Sequence, residues 1–110
     1  MSKESQFVPF HQLLTTEQIQ SLSPASCFLY SSIWNRMRIR DAIEVSILDA
    51  DAVSLSRSTP ELLLKVQSEL HRAGLLDIEP VVNPKLREGE QRTRYVLPAS
   101  ESNNDIDMRR

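Results

Sequence analysis

Cysteine occurs once in this chain, at Cys27, so neither an internal disulfide nor a paired-cysteine metal site can form within it. A reducing cytoplasmic setting is the matching expectation. Glycine is nearly as scarce, with 2 residues in 110, and no glycine-rich phosphate loop can be drawn. The two histidines, His11 and His71, lie far apart and build no HExxH element or other ligand spacing. No Ser/His/Asp or Cys/His set can be argued from spacing, and Asp49 and Asp51 read as charges beside a helix dipole. Catalysis, a metal and a cofactor are therefore not expected. An apolar run of transmembrane length is missing, and the opening MSKESQFVPF lacks the basic-then-apolar build of a signal peptide. Positive charge is not in excess either. Thirteen Lys and Arg face 15 Asp and Glu, for a net charge of -2 and a pI near 5.7. That balance argues against a general polyanion binder and leaves room for a local basic patch.

What is present is the composition of one small globular domain, 40% hydrophobic and 25% charged. Its best-marked stretch is Ala52 to Leu76, AVSLSRSTPELLLKVQSELHRAGLL. A polar turn at Ser54 to Ser58 separates the end of a short helix from a longer one. Ser58 followed by Glu61 has capping-box spacing, and Pro60 occupies the first turn, where its missing N–H is harmless. Arg72 in the last turn and Gly74 just beyond mark the other end. A helix over about Thr59 to Ala73 follows. Leu62, Leu63, Val66, Leu70 and Ala73 share its apolar arc, while Glu61, Lys65, Ser68, His71 and Arg72 face outward. Leu64 breaks this rule by projecting from the polar side.

Upstream, residues 1–6 are polar and expected to be flexible, and Phe7 to Leu14, FVPFHQLL, reads as an extended apolar arm folded onto the domain. Thr15 or Thr16 caps a short turn through Ile19. Ser23-Pro24 opens a helix to about Arg38, with Leu29, Tyr30, Ile33, Trp34 and Met37 as its buried stripe and Cys27 at the margin. Phe28 points off that stripe, toward the aromatic arm. Arg36, Arg38 and Arg40 close the helix with cations that suit its dipole. In Ala42 to Leu48 the residues Ile43, Val45 and Ile47 alternate with polar ones, which predicts a strand, and a short helix spans Asp49 to about Val53.

After Gly74 the pattern turns to strands. Leu75 to Val82 carries Pro80, which restricts it to an edge or a bulge. Pro84 to Gln91 is a polar loop, and Arg92 to Leu97 returns as a second strand, giving a β-hairpin. Residues 99–110 are polar and expected to form a disordered tail. The predicted fold class is α+β, mainly α: a winged helix-turn-helix over residues 7–98 with a C-terminal β-hairpin wing.

Leu22-Ser23-Pro24 followed by Tyr30 resembles the opening of the winged-helix domains of phage and plasmid replication initiators and related bacterial regulators. Val53 to Thr59, VSLSRST, and Leu70 to Leu76, LHRAGLL, are similar to their helix-turn-helix core. The position of the turn that often carries glycine is Ser54 here, and Pro60 stands where a residue with a free N–H is usual. The resemblance implies sequence-specific duplex DNA binding, as a small transcriptional regulator or a replication accessory factor, and it allows a homodimer. It places the start of the long helix in the major groove, with Arg57, Ser58, Thr59, Glu61 and Lys65 nearest bases and phosphates. Lys85, Arg87, Arg92 and Arg94 on the wing, joined by Arg36, Arg38 and Arg40, would track phosphates. The alternative is a winged helix that docks a protein partner through Leu64, inside a larger complex.

Overall fold

The computed structural model describes residues 7–82, 85, 87 and 90–98. The polar ends expected to be loose, and part of the polar loop, lie outside them. The elements run α1 (Phe10–Leu13), α2 (Thr16–Ser21), α3 (Pro24–Arg40), β1 (Glu44–Leu48), α4 (Asp49–Ser56), α5 (Pro60–Arg72), β2 (Asp77–Val81) and β3 (Arg92–Val96). This is an α+β, mainly helical chain with the winged helix-turn-helix order.

Helix α3 is the axis of the fold, and α1, α4, α5 and β1 all pack against it. Its Leu29 and Ile33 are fully enclosed, and Cys27, Tyr30 and Met37 are buried around them. Fully burying one such aliphatic side chain is worth about 1.5–3 kcal/mol. At its N-terminus the Ser23 hydroxyl accepts from the Ser26 N–H, and Pro24 stands at the first helical position, as the sequence predicts.

Helices α3, α4 and α5 end in one and the same way. The N–H of Asp41, Arg57 and Gly74 donates to the carbonyl three residues back, and the next N–H reaches the carbonyl five back: Ala42 to Met37, Ser58 to Val53, Leu75 to Leu70. That is the Schellman closure, and it needs a left-handed residue. Gly74 supplies it freely at φ 74°, as expected, but Asp41 and Arg57 adopt it at φ 52° and 56° despite carrying a Cβ. Helix α4 thereby reaches Ser56, beyond the expected Val53, and the turn contracts to Arg57, Ser58 and Thr59.

The sheet is antiparallel with order β1-β3-β2. Val45 and Ile47 of β1 stand opposite Tyr95 and Thr93 of β3, and Ile78 and Pro80 of β2 complete these rows on the inner face. Pro80 sits on an edge strand, where its missing N–H breaks no ladder on both sides. Ile43 lies ahead of β1 and is 60% exposed, not in the core as the alternation suggested.

The inner stripe of α5 is Leu63, Val66, Gln67 and Leu70. Leu62 and Ala73, expected within it, are exposed. The stripe is rotated because the buried Gln67 amide is satisfied: its Nε2 donates to the Tyr95 hydroxyl at 3.0 Å and to Thr93 Oγ1 at 3.4 Å. Thr93 Oγ1 then donates to Asp49 Oδ1 at 2.7 Å, tying α5, β3 and the start of α4 into one polar chain. Burial raises the Tyr95 phenol above its ordinary value, with the Asp49 charge adding to this and the bonds from Gln67 and Thr93 opposing it.

The N-terminal arm is partly helical, as α1, and not extended throughout. It is clamped to α3 by Asn35, which is 3% exposed. Asn35 Oδ1 accepts from the Val8 N–H at 2.8 Å, while its Nδ2 donates to the Val8 carbonyl at 2.8 Å and the Ser31 carbonyl at 2.7 Å. Phe10 meets Phe28 edge to face, 5.6 Å between centroids, the contact expected of Phe28. Thr15 caps α2 through a reciprocal bond with Gln18.

Candidate nucleic-acid interface

The face of α5 that looks away from the core presents Glu61, Lys65, Ser68 and Arg72, all exposed. They fall there because Leu63, Val66, Gln67 and Leu70 take the opposite side at the helical period. The turn before α5 and the hairpin after it flank this face.

At the turn, the sequence-predicted contacts take separate courses. Thr59 is the N-cap residue of α5, and its side chain makes no cap bond; Ser58 does not form the expected capping box. The Ser58 hydroxyl lies 2.6 Å from that of Ser56, which is fully buried and donates to the Val53 carbonyl. Ser58 is thus engaged within the turn. Glu61 turns to its own backbone N–H and to the Thr59 hydroxyl, which hold its carboxyl below the ordinary glutamate range. Its negative charge therefore stays at the start of the exposed face. The guanidinium of Arg57 lies over the Phe28 ring of α3, 4.5 Å from the centroid. A cavity of about 360 Å³ beside it is lined by Phe7, Phe10, Phe28, Ser32, Ser54 and Arg57, among others.

The wing cations also divide. Arg94 is placed on the outer sheet face between β1 and β2, in register with Ser46 and Glu79. It bonds Glu44 Oε1 at 2.7 Å and Glu79 Oε1 at 3.2 Å. The hydrogen bond and charge of Glu44, then the charge of Glu79, raise its pKa above the ordinary arginine value. Arg94 is therefore ion-paired across the outer face of the sheet. Arg92 is exposed at the loop end of β3 and donates from Nη1 to the Ser46 carbonyl at 3.4 Å. Lys85 and Arg87 are exposed in the loop. Glu90 accepts from the Arg87 N–H at 2.9 Å, which brings an acid close to that basic loop.

Arg36, Arg38 and Arg40 stand at the far end of α3 from Phe28. Twelve residues separate Phe28 from Arg40, roughly 18 Å along a helix axis. Arg38 lies 5.8 Å from the Trp34 ring centroid and bonds Asn35 Oδ1 at 3.3 Å. The sheet tells the same story. The end of α3 leads into Ile43, which accepts from the Leu97 N–H, whereas the hairpin loop sits at the opposite end of β1, where the Asp49 N–H meets the Gln91 carbonyl. The three α3 arginines and the wing loop do not merge into one patch.

A different cluster went unnoticed in the sequence. Glu69 Oε1 accepts from the Ser23 N–H at 3.0 Å, the Ser23 hydroxyl at 2.8 Å and the Ser26 hydroxyl at 2.6 Å. Partial burial pushes the Glu69 carboxyl up, but the bonds from Ser26 and Ser23, helped by the Lys65 charge, bring it below the ordinary range. Burial, together with the Glu69 charge, raises the Cys27 thiol above its ordinary value. These residues join α5 to the start of α3 and fix the angle at which the outer face is presented. The only sequence signal was an acid flanking the apolar arc.

On the other flank of α5, Leu64 is 75% exposed. It lines a groove with His71, Arg72, Ile78 and Pro80, between α5 and the edge strand β2. Among the described residues no group of His, Cys, Asp and Glu could hold a metal ion, and no helix is long and apolar enough to cross a membrane. Family models, curated proteins and solved structures give no match to this chain.

Proposed function

We propose that this winged helix binds duplex DNA by occupying a site, with α5 entering the major groove and the hairpin loop meeting the flanking backbone. The observation that carries this reading is the uncovered outer face of α5, with Lys65 and Arg72 on it and Arg57 at its entrance. Arg57 serves phosphate: a guanidinium stacked on a ring keeps its in-plane N–H donors open. Arg92, Arg87 and Lys85 supply the wing's share, without Arg94. The protein's net charge of -2 makes the contact local, so affinity rests on few phosphates. Transcriptional regulation or assistance to replication is the role that suits such occupancy.

A second reading has its own observation. The exposed Leu64 beside Ile78 and Pro80 offers an apolar groove that a protein partner could fill. The two separate by substitution. Lys65→Glu abolishes binding to mixed duplex DNA on the first reading while Leu64→Ser preserves it. The reverse pattern, measured on a co-purified partner with DNA ignored by the parent, supports the second.

A further inference from the structure

Arg57 occupies an unusual position for a helix-closing residue. It holds the left-handed conformation at φ 56°, where glycine is the common choice and a Cβ is disfavoured. Its side chain is exposed, and the guanidinium lies over the Phe28 ring, 4.5 Å from the centroid. Phe28 is itself braced edge-on by Phe10, whose arm is held by the paired Val8–Asn35 hydrogen bonds. Asn35 has nothing left to offer elsewhere, since its two amide donors go to Val8 and Ser31 and its oxygen accepts from Val8 and Arg38.

We infer that Phe28 and the N-terminal arm are a positioning platform for Arg57, setting its guanidinium in place before nucleic acid arrives. The inference rests on the DNA-binding reading and adds to it a supporting part, because the arm that braces Phe28 lies outside the helix-turn-helix. A free arginine loses rotamer entropy when it grips a phosphate; a stacked one has already lost part of it. The phosphate diester of duplex DNA is the group the ordered guanidinium would take. Release of the arm from α3 would leave the groove-facing residues of α5 unchanged and weaken this single contact. Phe28 and Asn35 are positioning residues, not contacts.

The test is a double-mutant cycle on the full chain, read by fluorescence anisotropy with a labelled mixed-sequence duplex at several salt concentrations. Arg57→Ala is expected to weaken binding about tenfold and lower the salt slope by about 1. Phe28→Leu keeps an apolar side chain of similar bulk without the ring, and is expected to weaken binding about two- to fivefold, with Phe28→Trp restoring it. The double variant should bind like Arg57→Ala alone. A second readout is independent of DNA: the Arg57 side-chain proton resonances should move out of their ring-current-shifted positions in Phe28→Leu. Additive effects, or Phe28→Leu binding like the parent, would overturn the platform while the DNA reading stands. If the parent binds no duplex at low salt, the DNA reading falls and takes the platform with it.

Discussion

Glu69 on α5 caps a helix it does not belong to: its Oε1 lies 3.0 Å from the N–H of Ser23, the N-cap residue of α3. Two hydroxyls bond the same oxygen, from Ser23 and Ser26. The arrangement ties α5 to the start of α3 beside the fully buried Leu70. Charge-assisted bonds contribute about 1.5–3 kcal/mol each when sheltered, and partial exposure reduces that. Glu69→Ala should cost about 2 kcal/mol and Glu69→Gln about half of that, measured by urea unfolding.

The same carboxylate makes stability depend on acid. Its folded-state pKa lies below the ordinary glutamate value, so the folded state resists protonation more than the unfolded one. The contribution is complete above about pH 5 and is lost as pH falls from there through the lowered folded value. Urea midpoints of the parent should decline over that interval, and those of Glu69→Gln should decline less.

Cys27 should be silent toward thiol reagents in the folded protein. It is 1% exposed, and burial together with the Glu69 charge raises its pKa. Labelling with a chromogenic disulfide at pH 8 should proceed at the rate of unfolding, and Glu69→Gln should accelerate it. Fast labelling of native protein would contradict this packing.

Gln67 is the polar centre of the interface between α5 and the sheet. Gln67→Leu removes the amide that bonds the enclosed Tyr95 hydroxyl and costs about 1–3 kcal/mol. Tyr95→Phe in that background should recover part of the loss, because it removes a buried hydroxyl that has lost one of its two partners. Thermal melts of the two variants check this.

The helix order, the hairpin and the cap at Ser23 were legible because each is a local signal: a hydroxyl before proline, an alternation, a glycine after an apolar arc; the α2 cap was legible only as Thr15 or Thr16. What was not legible depends on partners distant in sequence. Arg57 carries no mark of a left-handed residue, so the turn was expected to begin earlier, at Ser54. The expected arc of α5 takes in Leu62 and Ala73 and leaves out Gln67, because nothing local reveals that Gln67 has Tyr95 and Thr93 to bond. That Arg94 stands between Glu44 and Glu79 follows only from pairing in the sheet. Glu69 and Asn35 carry no local sign of their bonds. Their partners, at Ser23 and Val8, become neighbours only on folding.

Salt titration of binding to mixed duplex DNA tests the central claim most directly. The parent would be compared with Lys65→Ala/Arg92→Ala and with Arg94→Ala. The account predicts binding that weakens steeply from about 50 mM salt upward, a slope reduced by about 2 in the double variant, and Arg94→Ala close to the parent. No binding at the lowest salt, or a loss in Arg94→Ala equal to that of the double variant, would contradict it.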